Sequence, residues 1–251
     1  MNAITASSWR YPRWIAHRGA GKLAPENTLA AFRLGAQYGY RMFECDAKLS
    51  ADGVPFLLHD ATLERTTNGR GTGGDLPLGA LAQLDAGSWH SRAYAGEAVP
   101  TLEARARFCI ANGYFLNIEI KPTPGQEETT GRVVGETAAR LWQGQAVPPL
   151  FSSFKPDALA GAQATAAHIP RALLLDTLWD GCLDTARRLG CVAIVCNHAL
   201  WDAALVAQVK GMGMRTLSYT VNDDWAAQRL IALGTDGIIT DRVDLFSPAT
   251  P

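Results

Sequence analysis

Short apolar runs recur along this chain, and the spacing of apolar residues alternates between extended and helical. Strand-like runs fall at 13–17, 42–48, 114–121, 149–153, 170–175, 191–196, 214–220 and 236–239. Between several of them apolar residues return at helical spacing: Leu29, Phe32 and Ala36; Val134, Thr137, Ala138 and Leu141; Leu159, Ala162 and Ala166; Leu205, Val209 and Met212; Ala226, Leu230 and Leu233. Asn27 or Thr28 is placed to cap the first helix, and Gly39 and Gly190 sit where helices end in a left-handed residue. Eight strands with helices between them, in 251 residues, predict an α/β fold of the TIM (β/α)8 barrel type. An open doubly wound sheet shares the alternation, so count alone leaves both.

One stretch breaks the rhythm. Residues 60–100 hold the glycine-rich piece R-T-T-N-G-R-G-T-G-G-D and little period of either kind. A connection this long predicts a small lobe inserted after the second strand, within one domain that spans residues 1–251. Composition adds exclusions. A net charge of −1 gives no pull toward nucleic acid, and no run nears the roughly 18 apolar residues of a membrane span. The first residues lack the apolar centre of a secretory signal, and five cysteines include no C-x-x-C pair. These features lead to the expectation of a cytoplasmic protein with reduced, buried thiols, either monomer or homodimer.

Polar residues interrupt two of the strands in a way a buried parallel strand does not need. Residues two apart share a face. In F-E-C-D-A, Glu44 and Asp46 point one way; in F-L-N-I-E-I-K, Asn117, Glu119 and Lys121 do. Unpaired buried carboxylates are costly, and nearby Arg18 and Lys121 are too few to neutralise three at short range. A divalent cation with oxygen ligands is suited to Glu44, Asp46 and Glu119, and such a set serves Mg²⁺, Ca²⁺ or Mn²⁺ alike.

Two histidines end apolar strands: His17 in W-I-A-H and His59 in V-P-F-L-L-H-D. The turn S-A-D-G-V-P predicts a hairpin with Asp52-Gly53 as its loop, and that register sets His59 opposite Asp46. Beside three carboxylates, two histidines form an acid and base pair, and Arg18 and Lys121 supply charge for a phosphate. This is phosphoester chemistry on a small-molecule substrate. Neither G-x-S-x-G nor H-E-x-x-H occurs, and the glycine-rich piece follows no clear strand, so it reads as a loop. His90 reads as a surface group, His168 as a helix-end group, and His198 as a group placed by its strand near the barrel mouth.

Taken together, H-R-G at 17–19, P-E-N-T at 25–28, E-x-D at 44–46, D-G at 52–53, H-D at 59–60 and E-I-K at 119–121 resemble the glycerophosphodiester phosphodiesterase family of the cytoplasmic bacterial type. T-L-E-R-T-T-N-G-R-G, L-D-A-G-S-W, S-S-F at 152–154, T-V-N at 220–222 and D-G-I-I-T-D at 236–241 continue the resemblance in order. It implies a TIM barrel with a small inserted lobe, and hydrolysis of glycerophosphodiesters to glycerol 3-phosphate and an alcohol. It implies His17 and His59 as the acid and base, Glu44, Asp46 and Glu119 as ligands of one divalent cation, and Arg18 and Lys121 as phosphate contacts. It also implies attack by the glycerol 2-hydroxyl and a cyclic phosphate later opened by water. Tyr219 stands where the family often has tryptophan, and the short tail from Val243 leaves little chain for a last helix.

Overall fold

The computed structural model describes residues 9–248; the first eight residues, part of the segment read for a leader, and the last three lie outside them. Eight parallel strands close into a barrel: β1 (Trp14–Ala16), β2 (Met42–Leu49), β4 (Phe115–Ile120), β5 (Leu150–Ser153), β6 (Arg171–Leu175), β7 (Ala193–Asn197), β8 (Arg215–Tyr219) and β9 (Gly237–Thr240). The seam is the pairing of β1 with β2 on one side and with β9 on the other. A ninth strand, β3 (Pro55–Leu57), pairs antiparallel with the last part of β2. Outside the barrel lie α1 (Leu29–Gln37), α3 (Leu102–Asn112), α4 (Glu127–Leu141), α5 (Pro156–Thr165), α6 (Cys182–Arg188), α7 (Ala203–Gly211) and α8 (Asp224–Ala232), while the four-residue α2 (Leu78–Leu81) belongs to segment 60–100.

The eight strands read from the sequence all form. Besides the four-residue α2, two helices, α3 and α6, were not among the helical patterns, for different reasons. The inner face of α3 carries buried Arg105 among Leu102, Ala106 and Cys109, and α6 is only seven residues long. Thr28, not Asn27, caps α1 by accepting from the Ala31 N–H at 3.3 Å. Gly39 and Gly190 both take the left-handed conformation, as their positions required.

The alternation of each strand sorts its residues between two cores. Phe43, Cys45 and Ala47 of β2 join Leu116, Ile118 and Ile120 of β4 in the layer between barrel and helices. Ile15, Met42, Leu150, Ala172, Leu174, Val195, Leu217 and Ile239 fill the barrel interior instead. Residues further along the inward rows, the β4 row from Phe115 through Asn117 included, reach the C-terminal end of the barrel, and they include His17, Glu44, Asp46, Glu119 and Asp241. That end is where barrels of this kind carry their chemistry.

The tail after β9 forms no helix among the described residues. A turn at Arg242 brings Phe246 to stack on Trp14 at 4.7 Å, and the Phe246 carbonyl accepts from Tyr40 Oη. Strand pairing and this stacked ring close the barrel. Segment 60–100 has a small core of its own, with Leu63, Leu81, Ala86 and Val99 packed on Phe56 and Leu58. Its glycine-rich piece is a loop with one short 3₁₀ turn at Gly73–Asp75. All five cysteines are free and buried, and burial pushes the Cys109 and Cys191 thiols up to about 12.

The hairpin after β2 departs from the expected register by one residue. Ala47 faces Leu57, Lys48 faces Phe56 and Leu49 faces Pro55, so Asp46 lies opposite Leu58, whose N–H donates to the Asp46 carbonyl. The loop has three residues, Ala51 to Gly53, with Gly53 left-handed at φ 77°. Ser50 favours the longer loop, because its hydroxyl accepts from the Val54 N–H and its backbone N–H bonds the Val54 carbonyl. Three-residue hairpins with glycine at the left-handed position are a common solution.

Candidate active site

The site is built where inward rows of β1, β2 and β4 end. Glu44, Asp46 and Glu119 are buried, and each offers an oxygen within 4.8 Å of the others'. Burial first, and then the charges of Asp46 and Glu119, push the Glu44 carboxyl well above its ordinary range despite the Arg18 guanidinium beside it. Burial also raises Glu119. Burial opposes ionisation of Asp46 too, but Arg18, Lys121 and His59 together hold its carboxyl below the usual range. One anion is therefore fixed and two are held only at a cost. Glu44 Oε1 and Asp46 Oδ1 are buried with no hydrogen-bond donor. Three convergent carboxylates at that spacing, two of them with a donorless oxygen, fit a divalent cation.

The basic groups lie where the sequence placed them. Arg18 Nε approaches Asp46 Oδ2 at 3.4 Å, its Nη1 donates to Glu26 at 3.0 Å, and its backbone N–H donates to Glu44 at 3.0 Å. Its backbone is left-handed at φ 50°, an uncommon state for a non-glycine residue. Lys121 Nζ lies 3.3 Å from Glu119 and 3.6 Å from Asp46. Gly19 and Gly21 supply the turn between His17 and α1. A Cβ on Gly21 would stand 2.1 Å from the Asp241 carbonyl oxygen.

Each histidine carries a carboxylate on Nδ1. His17 Nδ1 meets Asp241 Oδ1 at 2.7 Å, and Asp241 in turn accepts from the Asn222 amide and donates its N–H to the same side chain. Burial works against the Asp241 anion, but the His17 and Asn222 hydrogen bonds hold its carboxyl down at about 2. His59 Nδ1 meets Asp60 Oδ1 at 2.7 Å. Burial lowers the His59 pKa, and Arg65 holds Asp60 ionised through bonds of 2.6 and 3.1 Å. In the tautomer whose Nδ1–H donates to its carboxylate, each neutral ring presents Nε2 as the acceptor. His17 Nε2 lies 3.8 Å from Glu44, and His59 lines one cavity with Glu119 and Lys121. The one-residue shift in the hairpin does not remove His59 from the site, because β3 stops at Leu57 and the chain bends at His59.

Sequence reasoning missed several residues that organise this arrangement. Asn27, read only as a candidate cap, clasps Asp46: its amide donates to Asp46 Oδ2 at 2.9 Å, and its oxygen accepts from the Asp46 N–H at 3.2 Å. Asn27 is left-handed at φ 65°, a state asparagine tolerates better than most residues. Glu26 joins Arg18 to Arg65, accepting from Arg65 at 2.8 Å through both oxygens. Thus P-E-N-T links the β1 turn, the metal-type carboxylates and segment 60–100. Lys48, on the inward row of β2, is 3 % exposed and donates to the Lys121 carbonyl at 3.1 Å; burial and Lys121 draw its ammonium down to about 8.

The remaining expectations divide. His90 bonds the Lys22 carbonyl at 2.9 Å and packs on Trp89 and Tyr94, a link between segment 60–100 and the β1 turn. His168 is exposed beyond α5. His198 opens a 3₁₀ turn after β7, with its carbonyl held by Arg229. Tyr219 donates to the Leu175 carbonyl and meets Phe154 edge-on at 5.6 Å.

The chain is similar to known proteins along nearly its whole length. The sequence model described as the glycerophosphoryl diester phosphodiesterase family matches residues 17–245. A glycerophosphodiester phosphodiesterase of Caldanaerobacter subterraneus is 33 % identical over 233 residues, covering 90 % of this chain and 93 % of its own. An Oleispira antarctica phosphodiesterase solved with the product sn-glycerol-3-phosphate superposes with a TM-score of 0.89 at 35 % identity, covering 98 % of this chain and 99 % of its own. A glycerophosphodiester phosphodiesterase of Agrobacterium tumefaciens gives a TM-score of 0.76 at 29 % identity over 94 % and 99 %. A closed parallel barrel, a family match that begins at His17, and relatives alike along nearly their whole length agree: the chain belongs to the glycerophosphoryl diester phosphodiesterase family of enzymes.

Proposed function

We propose that this chain hydrolyses glycerophosphodiesters to sn-glycerol 3-phosphate and an alcohol, with one divalent cation and two histidines. The observation that carries the reading is the pairing of two carboxylate-backed histidines with a carboxylate cluster whose inner oxygens lack donors. The product bound to the Oleispira antarctica relative supports the substrate class.

Glu44, Asp46 and Glu119 would hold the cation, which when bound supplies positive charge against a phosphate oxygen and eases ionisation of the attacking hydroxyl. Its identity is open among Mg²⁺, Ca²⁺ and Mn²⁺, since carboxylates serve all three. Arg18 and Lys121 hold the remaining charge of the phosphate. One of His17 and His59 removes the proton of the attacking hydroxyl through Nε2, and the other returns one to the leaving alcohol oxygen. Water then opens the resulting cyclic phosphate to sn-glycerol 3-phosphate, with the two rings exchanging roles. Asp241 and Asp60 keep each ring turned and its Nδ1 proton in place. Segment 60–100 serves as a cover, since Arg65 reaches from it to Glu26. The whole chain acts as one domain. No helix among the described residues is long and apolar enough to cross a membrane, and the free, buried cysteines are in keeping with the cytoplasm.

The deciding test incubates metal-stripped protein with glycerophosphoinositol and glycerophosphocholine, and follows glycerol 3-phosphate with and without Mg²⁺, Ca²⁺ or Mn²⁺. Metal-dependent release that falls by about two to four orders of magnitude in His17→Ala and in His59→Ala bears the reading out. Folded protein that releases nothing with any ion, or release untouched by either substitution, overturns it.

A further inference from the structure

A cavity of about 410 Å³ adjoins the site, lined by His59, Glu119 and Lys121 together with Pro122, Pro124 and Phe154. It is larger than a three-carbon glycerol needs and falls in the range of small-molecule sites. Two more cations line it, Lys48 and Lys155, and the proposed chemistry uses neither.

Both lysines stand where stability alone would not put them. Lys48 is 3 % exposed inside the barrel end, and one backbone carbonyl is its hydrogen-bond partner, which leaves donors of its ammonium to spare. Lys155 is the N-cap residue of α5, makes no side-chain cap bond, and precedes Pro156. A cation there faces the positive end of the helix dipole, where aspartate or serine is favoured. The carboxylates that line the cavity are already engaged: Asp60 by His59 and Arg65, Glu119 by Lys121. Among the described residues Phe154 is the one phenyl, phenol or indole ring of the lining. A quaternary ammonium needs several aromatic faces or a free carboxylate, and this cavity offers neither.

Resting on the phosphodiesterase reading above, we propose that this cavity receives the leaving alcohol and that Lys48, with Lys155, selects oxygen-rich alcohols over quaternary ammonium alcohols. Inositol- and glycerol-type head groups bring hydroxyl oxygens that accept from the two ammonium groups, while choline brings a cation and no acceptor beyond its ester oxygen. A hydrogen bond to a charged group is worth enough for about tenfold or more in discrimination.

The test compares kcat/KM for glycerophosphoinositol and glycerophosphocholine in the metal-loaded enzyme, in Lys48→Met and in Lys155→Glu. The ratio is the readout, so a general loss of activity cancels. Wild type should favour the inositol substrate by about tenfold or more, and Lys48→Met should remove most of that preference. Lys155→Glu, an exposed change that keeps the test alive if Lys48→Met does not fold, should shift the ratio toward choline by about threefold or more. A wild-type preference for choline, or a ratio that no folded variant moves, overturns the proposal while the hydrolase reading stands. Folded wild type that cleaves neither substrate overturns the hydrolase reading itself, and this proposal with it.

Discussion

His17 and Asp241 meet at 2.7 Å although 224 residues separate them. They extend the two strands whose pairing closes the barrel: the His17 N–H donates to the Thr240 carbonyl at 3.0 Å, and β1 and β9 run parallel beneath. The bond that orients a candidate catalytic ring is therefore made by the closure of the fold. Any change that loosens the seam also turns His17.

Asp241→Asn tests that coupling. An amide at this position can donate to His17 as well as accept, so the ring no longer has its Nδ1 proton assured. The kcat should fall by about two to four orders of magnitude with KM little changed, as initial rates across substrate concentrations would record. The stability effect has a definite sign. The Asp241 carboxyl lies at about 2 against an ordinary 3.8, so its contribution is present above the ordinary value and is lost as pH falls through about 2. The gap in stability between wild type and Asp241→Asn should close over that window in denaturant titrations, and a gap constant with pH would contradict it.

Asn27 holds Asp46 through two hydrogen bonds. Deleting its amide should weaken divalent cation binding by about 10- to 100-fold, the usual cost of losing an orienting partner behind a metal ligand. Asn27→Gly keeps the left-handed backbone easy, whereas Asn27→Ala strains it by about 1–2 kcal/mol. Calorimetric titration with Mg²⁺ or Ca²⁺ should show a similar affinity loss in both variants, and thermal melts should show the alanine variant as the less stable. An unchanged affinity in both would demote Asn27 to a turn residue.

These residues show what was legible and what was not. The inward rows of β2 and β4 were readable because strict alternation fixes which face a residue joins, and Glu44, Asp46, Glu119 and Lys121 follow from it without tertiary information. The register beside them was not, because Ser50 stabilises a three-residue loop that D-G alone does not announce. Helix α3 was hidden by Arg105, an arginine on a buried face. Asp241 and Asn27 are harder still. Asp241 acts on a partner 224 residues away that only the closed barrel brings near, and Asn27 on one 19 residues on, met across the pairing of β1 with β2.

Gly21 sits inside the same seam. Its φ is 57°, and an added Cβ would stand 2.2 Å from the Asp241 Cα. Those are backbone atoms, so no side chain can swing aside. Gly21→Ala should destabilise the fold by more than about 3 kcal/mol, since overpacking against backbone adds to the left-handed strain. Chemical denaturation would measure it. A loss below about 1 kcal/mol would mean that the seam can open at little cost.

Glu44→Gln separates the cost of the carboxylate cluster from its use. Burial and the charges of Asp46 and Glu119 raise the Glu44 carboxyl well above its ordinary value. For an acid raised in this way, the folded state holds more protons than the unfolded one. Without metal, stability therefore falls as pH rises from the ordinary glutamate range through the raised value. A neutral amide removes that penalty, so in chelator Glu44→Gln should melt no lower than wild type near neutral pH, and above it if repulsion dominates. Divalent cation reverses the order. Wild type should gain stability with rising concentration, by about 2.7 kcal/mol at one hundred times the dissociation constant, and Glu44→Gln should gain much less. The cation-induced gain in wild type should also shrink as pH falls, because protons compete for the same oxygens. Thermal melts in chelator and in Mg²⁺ or Ca²⁺, across pH, measure all three effects. A wild-type melting point indifferent to every divalent ion would remove the cation from the site and leave the three carboxylates without a physical reason to be buried together.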